Sequence, residues 1–403
     1  MFKRAVIVLM LCTSAHAAEE PQWLKEARAR ETKSLKPAEI KSKDGWFKAR
    51  VPGKLASTIE KVDGSYSVEL VIGGAASVHC EVYPEGTDIA NALRTTLNGA
   101  VEHINTAQGK IEVRALEGTE SGVHGAVPYI KLTWLYRVST PEGAKVGSFK
   151  QFIMEKGLQA VYCAHNDLGF TRTFTAITQA FAETLEVQEE SPAPQYKEIS
   201  TASMSGSQIG YAITTLEKDA DGDFLARQVT AMLIATNDGA VQAQDSTHIN
   251  WVRADGSLIN AANSEVANGE LSNSLSLKTA DGAWVVEGEV QGKPVKTSLP
   301  KDAQPASWVG QAQQLRALLA APNPVGQEHT VGIWLAENPE KLTIARTRIL
   351  ARQGDNHFTA RGDIGSMTAS LVIEKSSGMA STADIKIGPI NLKLERVYAS
   401  GTL

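Results

Sequence analysis

Apolar residues alternate with polar ones along most of this chain, which is the period-two pattern of half-buried β-strands. The run from Tyr66 to Ile72 is an early example, with an apolar side chain at every second position. Segments that begin after the Pro84 turn, at Thr171 and at Trp308 instead repeat every three or four residues, as amphipathic helices do. The pattern predicts an α+β fold class.

The first predicted domain spans residues 45–187 and is an antiparallel sheet with packed helices. Glu155-Lys156-Gly157 is predicted to be a tight hairpin turn. Helices are expected from Ile89 to Ile104, with Thr87 or Asp88 as cap, and from Thr171 to Leu185. Strands are predicted at Tyr66–Ile72, Ala76–Val82, Lys110–Leu116, Val127–Val138, Ser148–Glu155 and Leu158–Ala164.

The second predicted domain spans residues 198–403 and is mainly an antiparallel β meander or half-barrel with one amphipathic helix, Trp308–Ala320. Asp-Gly pairs between alternating segments are strong hairpin signals, because both residues tolerate positive φ. They occur at Asp221-Gly222, Asp238-Gly239, Asp255-Gly256 and Asp281-Gly282.

A chain of 403 residues is long enough for two domains. The acidic, proline-containing stretch at 188–197 has no apolar stripe and is the predicted linker. Residues 18–44 form a charged lead, helical in part or mobile, that precedes the first domain.

Residues 1–17 have the pattern of a secretory signal peptide. Lys3 and Arg4 form the charged region, an apolar run follows, and Ala15-His16-Ala17 supplies the small-x-small cleavage site. Lipidation of Cys12 is the alternative, although Leu11 stands where that processing favours a small residue. We therefore predict export to the periplasm and a mature chain that begins at Ala18.

Charge argues against nucleic acid as a partner. Removing Lys3 and Arg4 changes the formal charge from -5 to -7 (-5 minus 2), whereas nucleic-acid binders need clustered basic residues. No later apolar run approaches the roughly 20 residues of a membrane-spanning helix. The sequence thus predicts no nucleic-acid partner and no transmembrane segment.

Two cysteines, Cys80 and Cys163, remain after the predicted cleavage, and both lie in strand-like runs. Paired thiols persist as disulfides in an oxidising compartment, so we predict a Cys80–Cys163 bond. A redox-active pair or two free thiols are the alternatives. His79 and His165 stand near these cysteines and leave a zinc site as a further hypothesis, although the spacing fits no ligand pattern.

Other polar clusters have structural explanations that compete with functional ones. Asp219-x-Asp221-x-Asp223 resembles the start of a calcium loop but lacks its glycine and its final acid, which favours a solvated turn. The serine-glycine stretch at 203–207 lacks a nucleophile elbow and reads as a loop. Arg346 and Arg348 share one strand face, where they bind an anion or, as we favour, remain solvated. We identify no catalytic, cofactor-binding or metal-binding set.

The first domain resembles the PsbP-like fold. The likeness is carried by Phe47-x-x-x-x-Pro52, the helix after the Pro84 turn, the hairpin at Gly157 and the helix with Phe174 and Phe181. That fold serves non-enzymatic accessory and binding roles as often as others. The second domain resembles β-rich domains of unknown function in bacterial envelope proteins, through Ser207-Gln208-Ile209-Gly210-Tyr211 and the closing strand Asn391–Val397.

These observations favour a periplasmic, non-enzymatic binding or envelope-assembly protein. The expected partner is an unknown envelope protein or an apolar or amphipathic ligand, and Trp308, Leu315 and Leu319 are the candidate cleft residues, unless they complete the core. A periplasmic hydrolase whose acid and base come from distant strands is the alternative.

Overall fold

The computed structural model describes residues 22–31, 35–141, 143–188, 193–236 and 240–403. The predicted signal peptide at 1–17, residues 189–192 of the predicted linker and the Asp238-Gly239 turn lie outside the described residues. The helices are α1 Gln22–Ala29, α2 Ile89–Ala107, α3 Thr171–Thr184 and α4 Trp308–Ala320.

The first half of the chain forms two antiparallel sheets. A 3-stranded sheet has the order β1-β2-β11, and an 8-stranded sheet has the order β3-β5-β6-β10-β9-β8-β7, with β4 paired to β5. Their strands are β1 Pro37–Lys41, β2 Phe47–Pro52, β3 Lys54–Leu55, β4 Lys61–Val62, β5 Ser65–Gly73, β6 Ala76–Tyr83, β7 Ile111–His124, β8 Val127–Thr140, β9 Gly143–Lys156, β10 Gln159–Asn166 and β11 Glu186–Val187.

The second half forms one 14-stranded antiparallel sheet of order β19-β18-β17-β16-β15-β14-β13-β12-β25-β24-β23-β22-β21-β20. Its first and last strands in sequence, β12 and β25, pair at the centre. The strands are β12 Tyr196–Met204, β13 Ser207–Lys218, β14 Phe224–Ala235, β15 Val241–Val252, β16 Leu258–Ala267, β17 Glu270–Ala280, β18 Ala283–Val290, β19 Lys293–Ser298, β20 Glu328–Ile333, β21 Thr343–Gln353, β22 His357–Ile364, β23 Met367–Glu374, β24 Ala380–Ile387 and β25 Ile390–Gly401.

The α+β prediction is wrong. Strands account for 60% of the part of the chain that the structure describes and helices for 14%, and the first half is not a packed-helix α+β domain. The physical reason is strand length: β7 extends to His124, whereas the prediction ended it at Leu116. Charged residues on its exposed side, such as Glu117 and Glu120, made this part of the strand look like a loop in the sequence.

The predicted turns and helices are confirmed where the structure describes them. Helix α4 has the predicted bounds, and Gly157, with φ of 66°, makes the turn between β9 and β10. Asp281 and Gly282 both have positive φ, at 50° and 76°, as a tight hairpin between β17 and β18 requires. The disulfide is also present: Cys80 and Cys163 lie opposite each other on β6 and β10, with Cα atoms 4.0 Å apart.

Apolar packing joins the two large sheets. One core lies between the 8-stranded sheet and α3, and contains the disulfide. A second core lies on the other face of that sheet, where α2 and strands β8 and β9 pack against β13, β14 and β15. Two further cores, beside α4, belong to the 14-stranded sheet alone. The predicted division into two domains near 188–197 stays a prediction. The second core contains residues from both sides of that boundary, so the two halves share part of their apolar packing.

Remote carboxylates cap two of the helices. Asp88 occupies the N-cap of α2 but makes no side-chain cap bond. Asp245 of β15 instead accepts from the backbone N–H groups of Ala90 and Asn91, both at 2.9 Å. Because the first amides of a helix have no partner within it, this carboxylate ties α2 to the 14-stranded sheet.

Glu31 caps the amino-terminal end of α3 in the same way. It accepts from the N–H of Arg172 at 3.0 Å and from the hydroxyl of Thr173 at 3.2 Å. The N-cap residue itself, Phe170, has no side chain able to cap. The charged segment that contains α1 is therefore fastened to the first half of the chain.

Candidate functional site

The cavities that involve both large sheets lie where the β9–β10 hairpin and the start of α2 meet strands β13 to β16. One has a volume of about 430 Å³ and the other about 220 Å³. Both are lined by Glu155, Leu158, Arg227 and Val229, so they form one continuous depression. We call it the inter-sheet cleft.

Strand alternation explains why polar groups project into this cleft. On β14, the residues Arg227, Val229 and Ala231 point to one face, and Arg227 stands at the end where α2 no longer covers the sheet. On β15, Asp245 and Thr247 follow the same alternation beside them. Leu158, at the hairpin tip, is 55% exposed. The cleft is thus an uncovered continuation of the face on which the two sheets pack.

Glu155 is an acid of the cleft with a raised pKa. Its carboxylate accepts a hydrogen bond of 3.2 Å from the hydroxyl of Tyr211, which is fully buried. Burial raises the pKa of Glu155, and the nearby positive charges of Arg227 and Lys197 oppose that rise only in part. A carboxyl group in this setting holds its proton to higher pH than an exposed one.

The basic groups around Glu155 differ in how they are held. Lys197 donates to the carbonyl of Ala126 at 2.8 Å, and burial lowers its pKa. Arg227 is half-buried, and within the described residues its guanidinium has neither a hydrogen bond nor an ion pair. A half-buried guanidinium with five free N–H donors is available to an incoming acceptor.

Asp245 has a structural explanation. Burial raises its pKa to about 6, while the two α2 amides that it caps act in the opposite direction. Both of its oxygens are engaged by these amides. The position of Asp245 at the cleft wall therefore follows from helix capping and requires no chemical role.

A separate cavity of about 540 Å³ lies on the 8-stranded sheet beside α1. His165 lines it, is 3% exposed and binds the carbonyl of Ser77 through Nδ1 at 2.7 Å. The neighbouring Lys150 donates to the Ser148 hydroxyl and the Asp167 carbonyl, at 2.9 and 2.7 Å, and burial lowers its pKa to about 8. These contacts hold both side chains within the fold.

The residues predicted to line a cleft lie elsewhere. Trp308 packs against the core around Val252, and Leu319, which is 1% exposed, packs in the core around Ile349. Leu315 is half-buried on the same helix. Among the residues that the structure describes, none of these three lines any of the cavities given above.

The other sequence candidates occupy turns and surfaces. Asp219 accepts from the amides of Asp221 and Asp223, at 3.0 and 2.9 Å, which closes the hairpin turn. Arg346 and Arg348 are exposed on β21. Across the described part of the chain, no group of three metal-ligating side chains is positioned to hold an ion.

Sequence reasoning missed Glu155, Tyr211 and Arg227 as neighbours. A signal was present: Arg227 and Asp245 each interrupt a period-two series of apolar residues. A charge on an otherwise apolar strand face is costly unless it meets a partner or a cavity. Which residues would meet them depends on packing between segments far apart in sequence.

Comparisons with known proteins add only partial likenesses. A beta-barrel-like protein of the domain of unknown function DUF1849 from Brucella abortus is 11% identical, with a TM-score of 0.41 over 51% of this chain and 97% of that one. A DUF1089 family protein from Pseudomonas aeruginosa is 15% identical, with a TM-score of 0.23 over 49% of this chain and 92% of that one. Both scores are too low to support a conclusion. No protein-family model matches the chain, and no curated protein does.

Proposed function

We propose that this chain is an exported periplasmic binding protein that holds a polar ligand in the inter-sheet cleft without altering it. The observation that carries the proposal is the cleft itself, an open depression lined from both sheets beside Arg227, whose guanidinium makes no hydrogen bond or ion pair among the described residues. Ligand sites are commonly concave, lie between packed units and contain a few convergent polar groups.

Export is the compartment that the amino-terminal pattern predicts, and the disulfide supports it because such bonds persist in oxidising compartments. Within the described residues, no helix is both long and apolar enough to cross a bilayer. The proposal names a polar ligand rather than the apolar one expected from the sequence, because hydroxyl and charged side chains dominate the cleft lining.

Binding is favoured over catalysis because the perturbed groups already have partners. Asp245 caps α2, Lys197 binds a carbonyl, and Glu155 accepts from Tyr211. Among the basic groups described around Glu155, the guanidinium of Arg227 makes no hydrogen bond or ion pair. A ligand that uses Arg227 as a donor completes the contacts of the cleft without any chemical step.

One observation favours a hydrolase as the second candidate. Glu155 is a carboxylic acid with a raised pKa in an accessible cleft, as a general acid requires. A nucleophile or activated water opposite it is the missing element. Hydrolytic turnover that disappears in Glu155→Gln and persists in Glu217→Gln, a neighbouring acid on β13, would replace the binding proposal.

The test blocks the cleft. Ser264 lies on the cleft wall, whereas Ser370 is exposed on β23 on a remote surface. We expect an ultrafiltered periplasmic extract to raise the melting temperature of the wild-type protein and of Ser370→Phe, but not of Ser264→Phe. A ligand at 100 times its Kd stabilises by about 2.7 kcal/mol. Equal shifts in all three proteins, or none in any, would contradict the proposal.

A further inference from the structure

The inter-sheet cleft continues along the 14-stranded sheet. A further cavity, of about 290 Å³, shares Thr247 and Ser264 with the larger cavity of the cleft and reaches β18. We call the cleft and this extension together the trough. It crosses strands β14 to β18 at right angles to their direction, so a long ligand in it spans several strands.

Small residues form the floor of the extension. Ala262, Ser264, Ser274 and Ser276 lie on the same sheet face, and Glu287 continues that face on β18. Gly288 pairs with Leu275, whose side chain belongs to the opposite face, and a Cβ atom at Gly288 would lie 2.0 Å from the carbonyl oxygen of Ser274. The floor is thus low because the four residues that form it have small side chains.

The strand register lines up hydroxyl groups across this floor. Thr247 pairs with Ser264, and Ser264 pairs with Ser274, so three hydroxyl side chains stand in a row on three neighbouring strands. Neighbouring strands are about 4.8 Å apart. A row of donors and acceptors with that repeat matches a ligand that presents hydroxyl groups at intervals of about one sugar ring.

An exposed tryptophan stands at one side of the trough. Trp251 is two residues beyond Ile249, which lines the extension, so both side chains point to the same face. Trp251 is 39% exposed and pairs with Leu225 and Asn260 on the neighbouring strands. An indole exposed beside a polar row offers a flat apolar surface, which the C–H face of a pyranose ring covers.

The charges of the trough favour a neutral ligand. Arg227 and Lys197 face Glu155, while the rim carries Glu85 and Asp88. At the far end Glu287 is held by Lys278 and Lys296, at 2.5 and 2.8 Å. The acids repel an anion, and the bases near Glu155 repel a cation. The hydroxyl groups of a neutral ligand both donate and accept hydrogen bonds, so they are compatible with acidic and with basic side chains.

We propose that the trough binds a neutral oligosaccharide, with its sugar rings laid across β14 to β18 and one ring stacked on Trp251. This inference rests on the proposed binding function and assigns its ligand class. The row of Thr247, Ser264 and Ser274 contacts ring hydroxyls, and Arg227 donates to the sugar nearest the hairpin tip.

The test uses isothermal titration calorimetry with cellotetraose, maltotetraose and tetra-N-acetylchitotetraose. We expect at least one to bind in a one-to-one complex. Trp251→Ala weakens that binding tenfold or more, whereas Trp251→Phe retains most of it. The matched control is Leu350→Ala, an exposed apolar residue of β21, a strand that does not line the trough. Circular dichroism confirms that each variant is folded.

Two results would overturn the inference: no binding of any of the three sugars, or binding that Trp251→Ala leaves unchanged. The cleft-blocking test separates this failure from that of the proposed function. If the periplasmic extract stabilises the wild type and Ser370→Phe but not Ser264→Phe, while the sugars do not bind, only the saccharide assignment is wrong. If the extract also has no effect, the saccharide assignment and the proposed binding function are both wrong.

Discussion

The two large sheets differ in how much of their surface is covered. Residues 148–154 of β9 are all buried, because α3 packs on one face of the 8-stranded sheet and α2 with the other sheet on the opposite face. In the 14-stranded sheet, the strand β15 is buried at Val241 and Ala243 but only half-buried at Thr247 and Ile249. The second sheet extends beyond what α2 covers, and the trough lies on that uncovered part.

This difference shows where ligand binding is compatible with folding. A strand buried on both faces must give each polar side chain a partner inside the fold, as Lys150 has in Ser148 and the Asp167 carbonyl, which leaves little freedom for contacts with a ligand. A strand that leaves its covering helix keeps the alternation but no longer has to fill a core. Polar residues at 247, 264 and 274 therefore cost little stability and are available for contacts.

The disulfide lies within the closed sheet, and its removal should have the largest effect. It joins strands separated by 83 residues. On the chain-entropy model, losing such a cross-link costs about 4–5 kcal/mol. We expect C80A/C163A to lower the urea midpoint accordingly. Reducing agent should give the wild type a similar loss and leave the variant unchanged. A wild-type midpoint insensitive to reduction would contradict the expectation.

Asp245 joins the closed region to the open sheet and should make stability depend on pH. Its native pKa of about 6 lies above its ordinary 3.8. The native protein therefore binds this proton more readily than the unfolded chain, so stability falls as pH rises from about 4 to about 6. The contribution is at most about 3 kcal/mol.

Asp245→Asn cannot titrate and keeps an acceptor for one of the α2 amides. We expect this variant to lose that part of the pH dependence in urea titrations between pH 4 and 7. Asp302→Asn is the matched control, since Asp302 is an exposed carboxylate outside α2 and the cleft. Parallel curves for wild type and Asp245→Asn would refute the assignment.

Equivalent overpacking tests the contrast between the sheets directly. Ala182 of α3 is 4% exposed in the core of the 8-stranded sheet, and Ser264 is half-buried in the trough. Ala182→Leu inserts bulk into a filled core and should cost about 1–3 kcal/mol. Ser264→Leu should stay within about 0.5 kcal/mol of wild type. Equal losses in chemical denaturation would mean that the trough is as closed as the core.

Cleavage in the predicted linker should have the smallest effect. Limited proteolysis is expected to cut in the part of the predicted linker that precedes Tyr196, where strand β12 begins. The two fragments should still elute together in size-exclusion chromatography, because Leu93 and Leu233 belong to one core that both share. The disulfide lies wholly within the first fragment and does not hold them. Separate elution of the fragments would argue against the shared core.

Local patterns were sufficient for the elements that depend on nearby residues. The apolar stripe and the N-cap residue Ser307 define α4. The hydroxyl of Ser307 accepts from the N–H of Gly310 at 2.9 Å. Gly157 and the Asp281-Gly282 pair define hairpins by their own backbone freedom. The pairing of Cys80 with Cys163 followed from their number and their compartment.

The cleft depends on contacts that local patterns do not encode. Asp88 precedes α2 and looked like its cap, but a carboxylate from residue 245 takes that place. Likewise Glu155 and Tyr211 come together only because two sheets pack face to face. Strand alternation shows which residues share a face, but not which distant strand lies opposite them.

The central claim is that the uncovered face of the large sheet binds a ligand, and a single-cysteine reporter tests it most directly. Cys80 and Cys163 are bonded to each other and fully buried, so in a chain that starts at Ala18, the predicted mature form, Ser264→Cys and Ser370→Cys each add one reactive thiol. We predict that the ultrafiltered periplasmic extract slows maleimide labelling of Ser264→Cys at least fivefold and leaves Ser370→Cys unchanged. Equal labelling rates for Ser264→Cys with and without extract would contradict the account.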